Sequence, residues 1–185
     1  MGQDEDDLNA SIAHVILSCV AGRGISSRSS RYAQPGMHAN FFIHGIIGFM
    51  HYQSGKFNND FARAYVISYR ASKYLALPCL MADLYRGNDA LSVLHLASGI
   101  LPFALSLSEK DNVELGSLMI ACNIISLCYY SFEHNREWGW FTAGSAIFAY
   151  FLAPQMGPKI MYPLGLALME YCAYRVSSVR IETPS

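Results

Sequence analysis

The chain has 185 residues, 52% of them hydrophobic and only 15% charged. A soluble domain carries about 25% charged residues, and here the deficit is spread over several segments, which points to repeated contact with lipid. The net charge of −1 provides no basic field, so no nucleic-acid partner is expected.

The first residues, MGQDEDD, are acidic. They do not read as a cleavable signal peptide or as a mitochondrial presequence, both of which need positive charge. Gly2 matches only the start of a myristoylation signal, because position 6 is Asp6. Residues 8–22, LNASIAHVILSCVAG, are short for a span of about 20 residues. Leu8, Ile12, Val15 or Ile16, and Cys19 recur at helical spacing, so the segment reads as an amphipathic helix at the interface or against a bundle, with a short span as the rival. The sequon Asn9-Ala10-Ser11 falls within this helix and is read as chance. Residues 23–36 read as a basic loop with Arg23, Arg28, Arg31 and Pro35.

Residues 37–52, MHANFFIHGIIGFMHY, are the first apolar helix of the main body. After the polar turn SGKFNNDF comes 64–85, AYVISYRASKYLALPCLMADLY, expected to break near Pro78. Gly87-Asn88-Asp89 marks a turn and a helix cap. Residues 89–107 and 113–132 are strong spans joined by SEKDN. Trp138 and Trp140 open 138–154, where indoles suit a membrane interface. Residues 160–175 form the last span, and 177–185 a polar tail.

The expected fold class is an all-α polytopic membrane protein: a six-helix transmembrane bundle over 37–176, with residues 1–36 supplying an acidic N-terminus, an amphipathic or short seventh helix and a basic loop. Lys and Arg in the connections set the orientation. One side collects Arg23, Arg28, Arg31, Arg86, Arg136, Arg175 and Arg180, and the other Lys56, Arg63, Lys110 and Lys159. This places the C-terminus in the cytosol of a multi-pass protein of the endoplasmic reticulum or plasma membrane. The N-terminus joins it there if 8–22 does not cross.

Two stretches hint at a duplication. IIGFMHY (46–52) resembles IISLCYY (124–130), and KYLALP (73–78) resembles AYFLAP (149–154), at nearly constant spacing. Two three-helix units, 38–107 and 113–176, would then have opposite orientation, an arrangement that builds midplane pockets.

Arg70 and Lys73 share one face of an apolar helix. They either reach an interface or form an anion site for a lipid phosphate. Glu170, His44 and His95 interrupt other apolar segments and are the candidate polar partners. Two histidines from different helices are a minimal ligand pair for haem or metal. No HExxH, His-rich run or second-shell pattern accompanies them, so no cofactor and no metal site is expected. The five cysteines, Cys19, Cys79, Cys122, Cys128 and Cys172, make no CxxC pair and read as buried reduced thiols. No nucleophile elbow, P-loop or dinucleotide-binding stretch appears, so catalytic residues are none.

The leading functional expectation is a non-enzymatic integral membrane subunit that packs against and supports a larger membrane complex, possibly one handling lipids. Its partners are membrane lipids and another integral membrane protein. The alternatives are a phospholipid-binding or lipid-modifying protein using Arg70 and Lys73, and a small transporter or channel.

Overall fold

A computed structural model of the protein describes residues 3–25, 36–57, 59–108 and 110–178. Among these residues every regular element is helical. The elements are α1 (Gln3–Ile25), α2 (Gly36–Tyr52), α3 (Ser54–Phe57), α4 (Ala62–Tyr74), α5 (Ala76–Leu84), α6 (Asp89–Leu107), α7 (Val113–Glu133), α8 (Glu137–Ile147) and α9 (Met161–Ser178). A π turn (Phe148–Leu152) and a 3-10 turn (Ala153–Gln155) continue α8. Arg28, Arg31 and Arg180, which weigh in the expected orientation, lie outside the described residues.

Three helical segments are long and apolar enough to cross a membrane: Asp7–Ile25, Asp89–Leu107 and Val113–Glu133. The first contains the segment 8–22, read from the sequence as an amphipathic helix or a short span. The helix starts earlier and ends later, and its polarity is reversed relative to a soluble surface helix. Leu8, Ile12, Val15 and Ile16 face outward, while Ala10, Ser11, Ala13, His14, Leu17 and Ala21 are buried. The same inversion holds elsewhere. Val93, Leu94, Ile100, Leu101, Leu118, Ile125 and Phe132 are exposed, while Ser72, Ser92, Ser106, Asn123, Ser131 and Thr142 are buried. This pattern is compatible with a membrane protein, because in lipid apolar faces are at ease outside and polar groups must find partners inside. It also places two thiols. Cys19 and Cys122 are exposed rather than buried as expected, Cys79 and Cys128 are intermediate, and Cys172 is buried; all five are free. A weakly polar thiol is tolerated on a lipid-facing surface as well as in a core.

Glycines and serines set the helix pairings. Gly24 of α1 lies against the His38 ring, Gly45 of α2 against Ser18, and Gly48 against the His14 ring. These pairs run in opposite order along the two chains, so α1 and α2 are antiparallel, and an added Cβ at any of the three would collide. α9 runs parallel to α1. Lys159 just before α9 meets Asp7 at 2.5 Å, and Arg23 lies over the Tyr174 ring at 5.4 Å. The leg formed by α4 and α5 packs against α2, α6 and α7. One end of the bundle, here the near end, therefore carries Asp7, residues 53–57, 59–61, 108, 110–112 and 156–160. The far end carries 85–88 and 134–136.

Helix starts follow local chemistry. The side chains of Asn88 and Asn112 accept from the backbone N–H of Leu91 and Leu115, capping α6 and α7. The turn 53–61 holds the one-turn helix α3, which its polar composition did not suggest. The break in the 64–85 segment falls at Leu75, between α4 and α5, three residues before Pro78. Proline lacks an N–H and crowds the carbonyl four residues earlier, so the helix gives way upstream of the ring. That carbonyl belongs to Tyr74, and Gly99 of α6 sits against it and against the Pro78 ring. The similar stretch 149–154 also lies at an irregularity, since it runs through the π turn and into the 3-10 turn.

Candidate functional site: a buried histidine–tyrosine core

His14 is in the middle of α1 and His44 in the middle of α2. Their rings meet edge to face with centroids 5.2 Å apart, and both side chains are completely buried. Tyr65 and Tyr69 from α4 and Tyr162 from α9 stand 5.4, 6.2 and 6.0 Å from the His44 ring. Tyr52 and Tyr65 flank His14 at 5.5 and 5.8 Å. His51 stacks on Tyr65 toward the near end at 4.5 Å.

The hydrogen bonds determine which ring nitrogen carries the proton. His14 Nδ1 lies 2.8 Å from the Ala10 carbonyl, which can only accept. Nδ1 is therefore the N–H, and neutral His14 presents a lone pair at Nε2. His44 Nδ1 lies 3.0 Å from Ser68 Oγ, and that hydroxyl donates to the Tyr65 carbonyl at 3.0 Å. With the Ser68 proton on the Tyr65 carbonyl, His44 donates from Nδ1 and presents a second lone pair at its Nε2. Both Nε2 atoms are buried with no hydrogen-bond partner. Two lone pairs with no donor make a site that favours a donor: a proton, a hydroxyl or a cation. Gly48 makes room for the His14 ring.

Polar contacts continue from this core toward the far end. Ser72 Oγ is 3.1 Å from the Tyr162 hydroxyl, and the Tyr150 hydroxyl donates to the Ser72 carbonyl at 3.1 Å. Beyond them the buried carboxylate of Glu170 is bound through Oε1 to His38 Nδ1. Glu170 is the one buried acidic side chain among the described residues.

The expected cation site is arranged differently. Arg70 and Lys73 both lie on α4, but the Arg70 guanidinium donates to the Ser106 carbonyl at 2.6 Å, in the last turn of α6. The Lys73 ammonium lies 5.2 Å from the Tyr74 ring centroid and within electrostatic reach of Asp111 in the near-end turn. Both cations thus reach back toward the end where α4 begins. Glu170 pairs with His38 rather than Lys73. His44 belongs to the core just described. His95 sits in a separate nest: its Nδ1 lies 2.8 Å from Asn123 Oδ1 and its Nε2 3.2 Å from Ser126 Oγ. Asn123 in turn donates to Ser98 and to the Met119 carbonyl. Every ring nitrogen of His95 is satisfied, which marks a packing role between α6 and α7.

Sequence reasoning picked out His44 but missed His14, His38 and the tyrosines. The signal for His14 was its place in the middle of an apolar stretch, obscured there by the interruptions Asn9, Ser11 and Ser18. Among the described residues no group of three His, Cys, Asp or Glu side chains could hold a metal ion. No protein-family model matches the chain, and neither does any curated protein or solved structure compared with it.

Proposed function

We propose that the chain is a multi-pass membrane carrier whose histidine–tyrosine core performs a proton-linked step. The observation that carries this reading is the pair of bare Nε2 lone pairs of His14 and His44, buried at mid-length of their helices. Ionisable groups at the centre of a bilayer cost free energy and are found where a proton or ion pathway needs them. In this reading the seven legs of the bundle cross the bilayer, with α4–α5 as one broken leg and α8 with its two turns as another. The legs of 38–107 and 113–176 form inverted units around the core. The arginine-rich far end and the C-terminus face the cytosol.

The test is proton flux. Purified full-length protein in vesicles holding a pH-sensitive dye, given an acid pulse with the membrane potential clamped, should acidify faster than empty vesicles. His44→Phe should lower that rate about a hundredfold or more, the range in which general acid–base groups act. Flux unchanged in His44→Phe, with the protein folded, would overturn the reading.

A second reading is the accessory subunit of a larger membrane complex. It is favoured by the outward faces of α6 and α7, where Leu94, Ile100, Leu118, Ile125, Tyr129 and Phe132 are all at least half exposed. Co-purification of a stoichiometric membrane partner in mild detergent supports it. Charged replacements at Ile125 and Leu118 should release that partner.

A further inference from the structure

We infer that His38 and Glu170 form a proton-exchange station on the far-end side of the core, at which Glu170 takes up and releases a proton. The inference rests on the carrier reading for its purpose, but the chemistry of the pair stands on its own geometry.

Glu170 lies in the middle of α9 with its side chain completely buried. Of its two carboxylate oxygens, Oε1 is bound to His38 Nδ1, and Oε2 has no hydrogen-bond partner. A buried carboxylate that served only as a staple would normally have both oxygens satisfied. Here one oxygen holds the exchange partner and the other is bare, so the group can carry a proton without losing a bond. His38 lies in the first turn of α2, close to the far end, and retains slight exposure. It is the more exposed member of the pair.

The step balances simply. With imidazolium and carboxylate, the Nδ1–H proton moves along the hydrogen bond to Oε1. The N–H electron pair stays on nitrogen, and the products are neutral imidazole and neutral carboxylic acid. Bulk water supplies the proton to His38 and accepts it on return.

The elements around Glu170 present few other charges. α2 presents His38, and the π turn after α8 presents Tyr150, which lies in electrostatic range of Glu170. α1 presents Arg23 about one turn further on, held over Tyr174. α8 carries Glu137 in its first turn at the far end, and Arg175 of α9 lies over the Trp138 ring. Among the described residues no Lys or Arg pairs with Glu170, and its charged partner is His38. Tyr150 also donates to Ser72, which contacts Tyr162 beside His44, so the station and the core share a line of polar side chains.

Infrared difference spectroscopy on the purified full chain tests this between roughly pH 5 and 8, the window in which histidine changes charge. A carbonyl stretch of a protonated, water-poor carboxyl should grow on acidification and be absent from Glu170→Gln. It should keep its amplitude but change its midpoint in His38→Gln. If Glu170→Gln does not fold, glutamate-labelled wild-type protein gives the same answer, since the isotope must move the band. A band constant across the window, or absent at all pH values, leaves the pair a structural staple and overturns the inference. The spectrum involves no transport, so a normal Glu170 band with no flux sinks the carrier reading alone. Flux without a titrating band sinks the station alone.

Discussion

His38 and Glu170 show how a buried pair ties distant parts of the chain together. They are 132 residues apart and join α2 to α9. Removing one partner leaves the other uncompensated in a low-dielectric interior, which costs about 3–5 kcal/mol, whereas replacing both by apolar groups is often neutral. His38→Leu and Glu170→Leu should therefore each lower the melting temperature in detergent, and the double variant should recover most of the loss. Additive losses would show that the two side chains do not depend on each other. The histidines of the core should behave in the opposite way. His44 leaves Ser68 with an acceptor in the Tyr65 carbonyl, so His44→Phe strands no donor and should melt close to the wild type. That near-neutral stability makes the flux test at His44 interpretable.

At the scale of elements, the contact of α6 with the α4–α5 leg is the most restrictive. The carbonyl of Tyr74, left without its usual donor by Pro78, faces Gly99, and the proline ring lies against the same glycine. A Cβ at Gly99 would meet backbone, which cannot swing aside. Gly144 of α8 has nothing within 4 Å of an added Cβ. Gly99→Ala should thus destabilise by about 1–3 kcal/mol through overpacking. Gly144→Ala should be neutral or slightly stabilising, because alanine is the better helix former. Thermal unfolding of the two variants side by side checks this, and equal melting temperatures would refute the close approach.

For the molecule as a whole, alternating legs predict that consecutive connections emerge at opposite ends. Arg86 lies in the turn after α5, and Lys110 in the turn after α6; both are exposed. In a background without native cysteines, Arg86→Cys should react with an impermeant maleimide from the cytosolic side. Lys110→Cys should react only from the other. Labelling of both from one side would exclude α6 as a membrane crossing. The helix irregularities at KYLALP and AYFLAP lie in the middle helix of each proposed unit, which is where inverted repeats place the breaks that shape a central site.

The sequence by itself determined the helical class and most helix limits. Those features depend on local chemistry: apolar runs of sufficient length, polar turns between them, and the Asn88 cap before α6. It also showed that Arg70, Lys73 and Glu170 needed an explanation. Only the tertiary structure decided the partners. In lipid an apolar helix has no polar face to fix its rotation about its own axis, so sequence spacing cannot say which side of α2 turns inward. Rotation is set instead by close approaches such as Gly45 on Ser18 and Gly48 on His14. Those approaches bring His14 to His44 and His38 to Glu170, and leave Lys73 turned toward Asp111.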